Sequence, residues 1–284
     1  EGDELADAYL ERIVGRKLSE TWKAPVVVEN KAGGNAQIGA EQVAKGAADG
    51  SQLLAITLTH AANVSLFPDA PYSVMKDLRP VALLAGSPML VVVPATSPVK
   101  DYKDLVAASK TRELNAGSSG NGTPPHLTMA LFNDINKSKM THVPYKGGAP
   151  SMTDLIGGQI DVIFSNFPES IAHVKSGKLR ALALCSAARH PQLPDVPTSA
   201  EAGMPGLLVE NWTAVMIQSK TPDAIVDRYS RELIKILFTP EMEERARAQG
   251  FALTPKGEDD FGRFLRSEVE RWARIIKTAN ISIE

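Results

Sequence analysis

One stretch in the middle of the chain gathers polar groups in a pattern suited to holding an anion. It reads Gly117-Ser118-Ser119-Gly120-Asn121-Gly122-Thr123-Pro124-Pro125-His126. Glycines let the backbone approach a bound group closely and adopt positive φ. The prolines preset the first turn of a helix and supply no N–H of their own. The remaining N–H groups, with the hydroxyls of Ser118, Ser119 and Thr123 and the amide of Asn121, form a cradle whose natural occupant is a carboxylate. The same residue types also make an unliganded Gly/Ser loop.

Three other places carry groups of the same kind. Tyr145-Lys146-Gly147-Gly148 sits at a strand-to-helix junction, where its backbone N–H groups serve a second polar end of a ligand and Lys146 is either a contact or a solvated lysine. Ser165 and Asn166 follow an apolar strand at a third such junction, and Thr59 and His60 follow another strand nearer the start. Ligands of open α/β sheets bind outside the carboxyl ends of strands, where such junctions lie. Each set has a plain reading beside the functional one. Ser165 and Asn166 suit a turn, and His60 and His126 suit structural roles. Trp212 is expected to pack rather than to serve as a ligand platform.

Catalytic patterns are missing. Gly117-Ser118-Ser119-Gly120-Asn121 falls short of a Gly-x-Ser-x-Gly nucleophile elbow because position 121 is Asn. There is no His-Glu-x-x-His, phosphate-binding loop or dinucleotide fingerprint. The histidines lack metal-ligand spacing, and the single cysteine, Cys185, excludes an internal disulfide or a cysteine-clustered metal site. Cys185 lies in an apolar run and is expected to be buried. No cofactor or metal is expected. A formal charge of -2 gives no reason to expect a nucleic acid or an anionic membrane as partner. No apolar run approaches the ~20 residues that span a bilayer. The opening Glu1-Gly2-Asp3-Glu4, directly before a helical pattern, reads as the start of a mature, processed or truncated chain.

The elements that must position these residues alternate between strand and helix, which predicts α/β with largely parallel pairing. With 43% apolar residues in 284, there is material for two modest cores. Helix is expected over 5–18, with Leu5, Tyr9, Ile13 and Val14 on one stripe, and over 38–47, to 105, 124–133, 150–156 and 170–175. Strands are expected over 25–29, 51–57, 81–84, 89–94, 114–117, 141–144, 161–164, 179–185 and 209–217. The proline-rich stretch 190–197 is a loop, after which Thr198 and Glu201 fit a capping box. The remainder is expected to be all helix. Thr221-Pro222 and Thr239-Pro240 open two helices, and Phe261, Leu265, Val269, Trp272 and Ile276 stripe the last. No flexible linker separates the two halves.

Five segments in order resemble one family. They are Val26-Val27-Val28-Glu29-Asn30 with Gly33-Gly34-Asn35-Ala36-Gln37-Ile38-Gly39-Ala40; residues 115–123; His142-Val143-Pro144-Tyr145-Lys146-Gly147-Gly148-Ala149; Asp154-Leu155-Ile156-Gly157-Gly158-Gln159; and Leu193-Pro194-Asp195-Val196-Pro197-Thr198. The sequence is similar to the Bug/TctC family, the extracytoplasmic solute receptors of tripartite tricarboxylate transporters, from about Gly15 onward. The resemblance implies a two-lobe, type II periplasmic-binding-protein (venus-flytrap) fold. Crossing strands are expected near 93–96 and 210–213, with lobe one at 1–95 plus 213–284, lobe two at 96–212, and a ligand cleft between them. At its start the sequence departs from the family. The usual first strand and glycine-rich turn are absent, Arg12 keeps its helical position, and Ala8 stands where an Asp is expected.

Together these readings predict a periplasmic, monomeric solute-binding protein and not an enzyme. It would capture a small di- or tricarboxylate or aromatic acid by lobe closure and pass it to membrane permease subunits. Expected ligand contacts are Ser118, Ser119, Asn121, Gly122 and Thr123; Tyr145, Lys146, Gly147 and Gly148; Ser165 and Asn166; and Thr59 and His60. Two rivals remain at this stage. One is a sensing module reporting to a signalling partner; the other is an enzyme on the same two-lobe fold with Lys146 or His126 as its reactive group.

Overall fold

The computed structural model describes residues 5–31 and 33–283, with side chains of the first helix from Arg12 onward. The acidic start at 1–4 and the side chains of Leu5, Ala8 and Tyr9 lie outside the described residues. The chain divides into two units. One runs to Gly86 and resumes over Trp212–Arg274; the other comprises Ser87–Asn211 with the residues from Ile275.

The first unit opens with α1 (Leu5–Trp22), a short 3-10 turn (Gly34–Ala36), α2 (Gln37–Ala44), β1 (Leu53–Thr57) and α3 (Leu58–Leu66). Next comes β2 (Leu78–Pro94), a 17-residue strand where two separate strands are expected from the sequence. Pro88 suggests a break, yet the strand continues through it into the second unit, and Met89 N–H donates to the Val209 carbonyl. Later come most of β7 (Glu210–Gln218), α8 (Asp223–Leu237), α9 (Pro240–Ala248), β8 (Ala252–Lys256) and α10 (Glu258–Thr278). β1 pairs antiparallel with β7, Thr57 opposite Thr213, and β2 pairs antiparallel with β8 across a register shift between Leu83 and Ala85. Ile13, Val14 and Leu18 of α1 pack with Val81 and Leu84 of β2, Ile217 of β7, and Val226 and Leu233 of α8. Each such side chain contributes roughly 2 kcal/mol by leaving water.

The second unit carries α4 (Tyr102–Thr111), β3 (Asn115–Ser118), α5 (Pro124–Asn136), β4 (Thr141–Pro144), α6 (Gly148–Ile156), β5 (Val162–Asn166), α7 (Phe167–Lys175) and β6 (Leu179–Leu184). β3 is parallel to β4 and to β5, with Gly117 opposite Val143 on one side and Ile163 on the other. The far half of β2 pairs antiparallel with β5 and β6. Leu90, Val92, Ile163, Phe167 and Leu184 lie in its core.

The α/β class stands, but largely parallel pairing is confined to β3, β4 and β5. β2 runs antiparallel to β5, β6 and β8. Residues 25–29 do not form the expected strand. Val27 is 78% exposed, Val26 and Val28 about half that, and together with Arg12 and Arg16 of α1 they line an open hollow. Extended chain without a paired neighbour satisfies its backbone with water instead. β8 corrects the all-helical reading of the last third; Pro255 suits an edge strand, which lacks one row of ladder bonds. Thr221 does not cap α8. Pro222 takes that position, and the Thr221 hydroxyl is buried without a partner. Thr239 does cap α9, accepting from Met242 N–H at 3.4 Å. The Thr198–Glu201 bonds also form, at 2.8 and 3.1 Å, but they close a turn rather than start a helix.

Candidate functional site

In the second unit, the parallel strands β5, β3 and β4 deliver three expected loops to one edge. Ser118 ends β3, Pro144 ends β4 opposite it, and Ser165 and Asn166 end β5. Backbone bonds lock the first two loops together: Tyr145 N–H donates to the Ser118 carbonyl at 3.0 Å, and Gly147 N–H to the Ser119 carbonyl at 3.2 Å. Within the first loop the backbone turns through Gly120 (φ 136°) and Gly122 (φ 72°), values that side-chain-bearing residues rarely adopt.

The hydroxyls take different roles. Ser118 is fully buried; its Oγ accepts from Gly120 N–H at 3.1 Å and meets His142 Nε2 at 2.6 Å. Thr123 Oγ1 donates to the Gly120 carbonyl at 2.6 Å. Asn121, expected in the cradle, uses its Nδ2 to donate to the Ile283 carbonyl at 3.1 Å. Ser119 is half-buried, and Lys146 is exposed. Tyr145 donates its hydroxyl to Asp154 Oδ2 at 2.7 Å, and burial with that carboxylate raises its pKa to about 12.

Ser165 is wholly buried, and its Oγ donates to the Asn166 carbonyl at 2.9 Å. Asn166 donates to Glu169 Oε1 at 2.6 Å and accepts from Asn211 Nδ2 at 3.1 Å. Both therefore brace the edge. Thr59 and His60 belong to the first unit, buried in the first turn of α3. His60 Nδ1 accepts from Thr57 N–H at 3.2 Å, and burial depresses the ring's pKa to about 4.

Two contacts near these loops are not legible from the sequence. His142 on β4 stacks face to face on His126 of α5, centroids 3.9 Å apart and planes within 4°. They are separated by 16 positions, so no local spacing reveals them; only the adjacency of β3 and β4 does. Burial lowers both pKa values to about 4, His126 also feeling His142. In the first unit, Asn35 and Ala36 are left-handed at φ 54° and 66°, and Asn35 Nδ2 donates to Asn63 Oδ1 at 2.8 Å.

Cys185 is buried, and desolvation pushes its thiol far above the usual range, so it is no nucleophile. Among the described residues no group of three or more metal-ligating side chains occurs, and no helix is long and apolar enough to cross a membrane.

The whole chain is similar to known proteins. Residues 10–281 match the family model described as "Tripartite tricarboxylate transporter family receptor", TctC. Protein BugT of Bordetella pertussis is 32% identical over 277 residues, covering 96% of this chain and 85% of that one. An R. palustris protein solved with adipate is 32% identical with a TM-score of 0.91, covering 97% of this chain and 93% of its own. MatC from Rhodopseudomonas palustris, with bound malate, is 28% identical with a TM-score of 0.86, over 95% and 94%. The shared fold is that of the periplasmic binding proteins, BugD among them.

Proposed function

The chain belongs to the tripartite tricarboxylate transporter receptor family, TctC, and from that membership we propose that it binds a small carboxylate and hands it to membrane permease subunits. The observation that carries this reading is the 118–123 loop at the carboxyl end of β3. The amides of Gly120, Gly122, Thr123, Tyr145 and Gly147 donate inside the protein. Among the described residues this leaves the amides of Ser119, Asn121, Lys146 and Gly148, with the Ser119 hydroxyl, to meet an anion. Related proteins were solved with adipate and with malate, both dicarboxylates. A second carboxylate would then meet the Tyr145–Gly148 loop or groups from the first unit such as Thr59.

Periplasmic location, a monomeric state, freedom from catalysis, and closure of lobes 1–95 with 213–284 on 96–212 belong to the same proposal. A thermal-shift panel of organic acids tests it. Adipate, malate or a related acid should raise the unfolding midpoint, since a thousandfold excess over Kd stabilises by about 4 kcal/mol. Ser119→Ala should weaken that shift, and the acid should be recovered unchanged. Stabilisation by neutral sugars or cations alone rules the carboxylate out. Turnover of the acid abolished in Lys146→Ala would make the protein an enzyme.

A further inference from the structure

We propose that the stacked pair His126–His142 is the positioning device that holds residues 118–123 in the shape that receives a carboxylate, without touching the ligand itself. The inference rests on the function proposed above, because it assigns that loop to binding.

Each ring grips one end of the loop. His142 Nε2 meets the hydroxyl of Ser118, the loop's first residue. His126 Nδ1 accepts the N–H of Gly122, near its far end, at 3.0 Å. Stacking ties the two grips together across β4 and α5. The Gly122 bond fixes a chemical state: Nδ1 must carry a lone pair, so His126 holds its proton on Nε2. Adding a proton to Nδ1 would face one N–H with another and free Gly122, whose φ of 72° the bond helps to hold. The contact to Ser118 is less sensitive, since a hydroxyl can donate to Nε2 or accept from it. Charging both rings would also stack two cations. The surroundings agree with a neutral pair. Glu113 before β3 bonds Thr141, Asp154 of α6 bonds Tyr145, and Lys146 follows β4, yet none of them figures in the perturbation of either ring. Burial keeps both rings uncharged, and His126 also feels His142.

The experiment compares His126→Leu, which removes the acceptor, with His126→Asn, whose Oδ1 can replace it. Adipate and malate are the probes. At about neutral pH, His126→Leu should raise Kd about tenfold, the weight of one lost hydrogen bond plus loop freedom, and His126→Asn should recover most of that. On acidification, wild-type affinity should fall more steeply than that of His126→Asn; the ligand's own titration is common to both and cancels. Nitrogen NMR of the unliganded protein supplies a second reading, in which the Gly122 amide and the His126 Nδ1 signals shift together with pH. Wild-type Kd in His126→Leu, or identical pH profiles for wild type and His126→Asn, would overturn the proposal. So would a Gly122 amide indifferent to His126 titration, which decides the matter on wild-type protein if the leucine variant fails to fold. If neither acid binds wild type, the carboxylate reading fails, whereas the NMR coupling still tests the grip on the loop.

Discussion

Gly120 bears the tightest demand of the candidate loop. At φ 136° a side chain strains the backbone, and a Cβ there would sit 3.4 Å from the Tyr145 carbonyl oxygen and 3.8 Å from Thr123 Cγ2. Both distances are ordinary van der Waals contact, so the demand comes from the backbone angle. Gly158, at φ 72° with nothing within 4 Å of its would-be Cβ, lies in the milder left-handed region. Gly158→Ala should therefore cost about 1 kcal/mol from conformation alone, and Gly120→Ala about 2 kcal/mol or more, read as urea midpoints. Equal costs for the two would show that φ 136° is no harder for alanine here than φ 72°. Gly120→Ala should also weaken carboxylate binding, which Gly158→Ala should not, because only the former displaces the amides of Ser119 and Asn121.

Among the elements of the first unit, α10 is anchored by an unusual carboxylate. Glu268 is 7% exposed and its Oε2 accepts from two indoles, Trp212 on β7 at 3.1 Å and Trp272 one turn along at 3.3 Å. Both rings are fully buried, so neither N–H can turn to water. Glu268→Ala should cost roughly 3 kcal/mol in unfolding free energy, since it strands two buried donors and opens space; Glu268→Gln keeps an acceptor and should cost less than half. Similar losses in the two would assign the cost to the lost charge, which also pairs with Arg271 at 3.3 Å, since glutamine fills the same space. Trp212 was legible as a packing residue, but its carboxylate partner, 56 positions away, was not. The same division runs through the whole fold. Helical stripes such as Val226-Leu233-Leu237 follow from spacing, and the Gly/Ser loop announces itself by composition. What failed depended on partners distant in sequence. Residues 25–29 look like a strand but have no recorded ladder, β8 pairs despite its proline, and His142 gains a role only where β4 lies beside β3. Ser165 and Asn166 were readable as loop residues, while their internal hydrogen bonds to α7 and Asn211 were not.

Across the whole molecule the buried imidazoles set a common response to acid. His60 in one unit, and His126 and His142 in the other, each have a folded pKa of about 4 because burial disfavours the cation. Unfolded histidine titrates near 6.5. Above that value both states are neutral and the rings cost nothing. Between about 6.5 and 4 the unfolded chain takes up protons that the folded one refuses, so stability must fall as pH falls; below about 4 the slope from these groups ends. Each ring withdraws at most about 1.4 kcal/mol per pH unit in that window; His142, only partly buried, withdraws less, and the stacked pair does not titrate independently. The thermal midpoint should therefore stay level from about pH 8 to 7 and drop steeply by about pH 5. Replacing His60 by Asn, which can still accept the Thr57 N–H, should remove that ring's share of the slope without moving the Gly122 signal. His126→Asn should remove its own share and relieve His142 of a stacked neighbour, so its effect on the slope should differ from that of His60→Asn. A midpoint that stays level to pH 5 in wild type, measured without ligand at constant ionic strength, would mean that the folded rings accept protons freely and that burial does not hold them neutral.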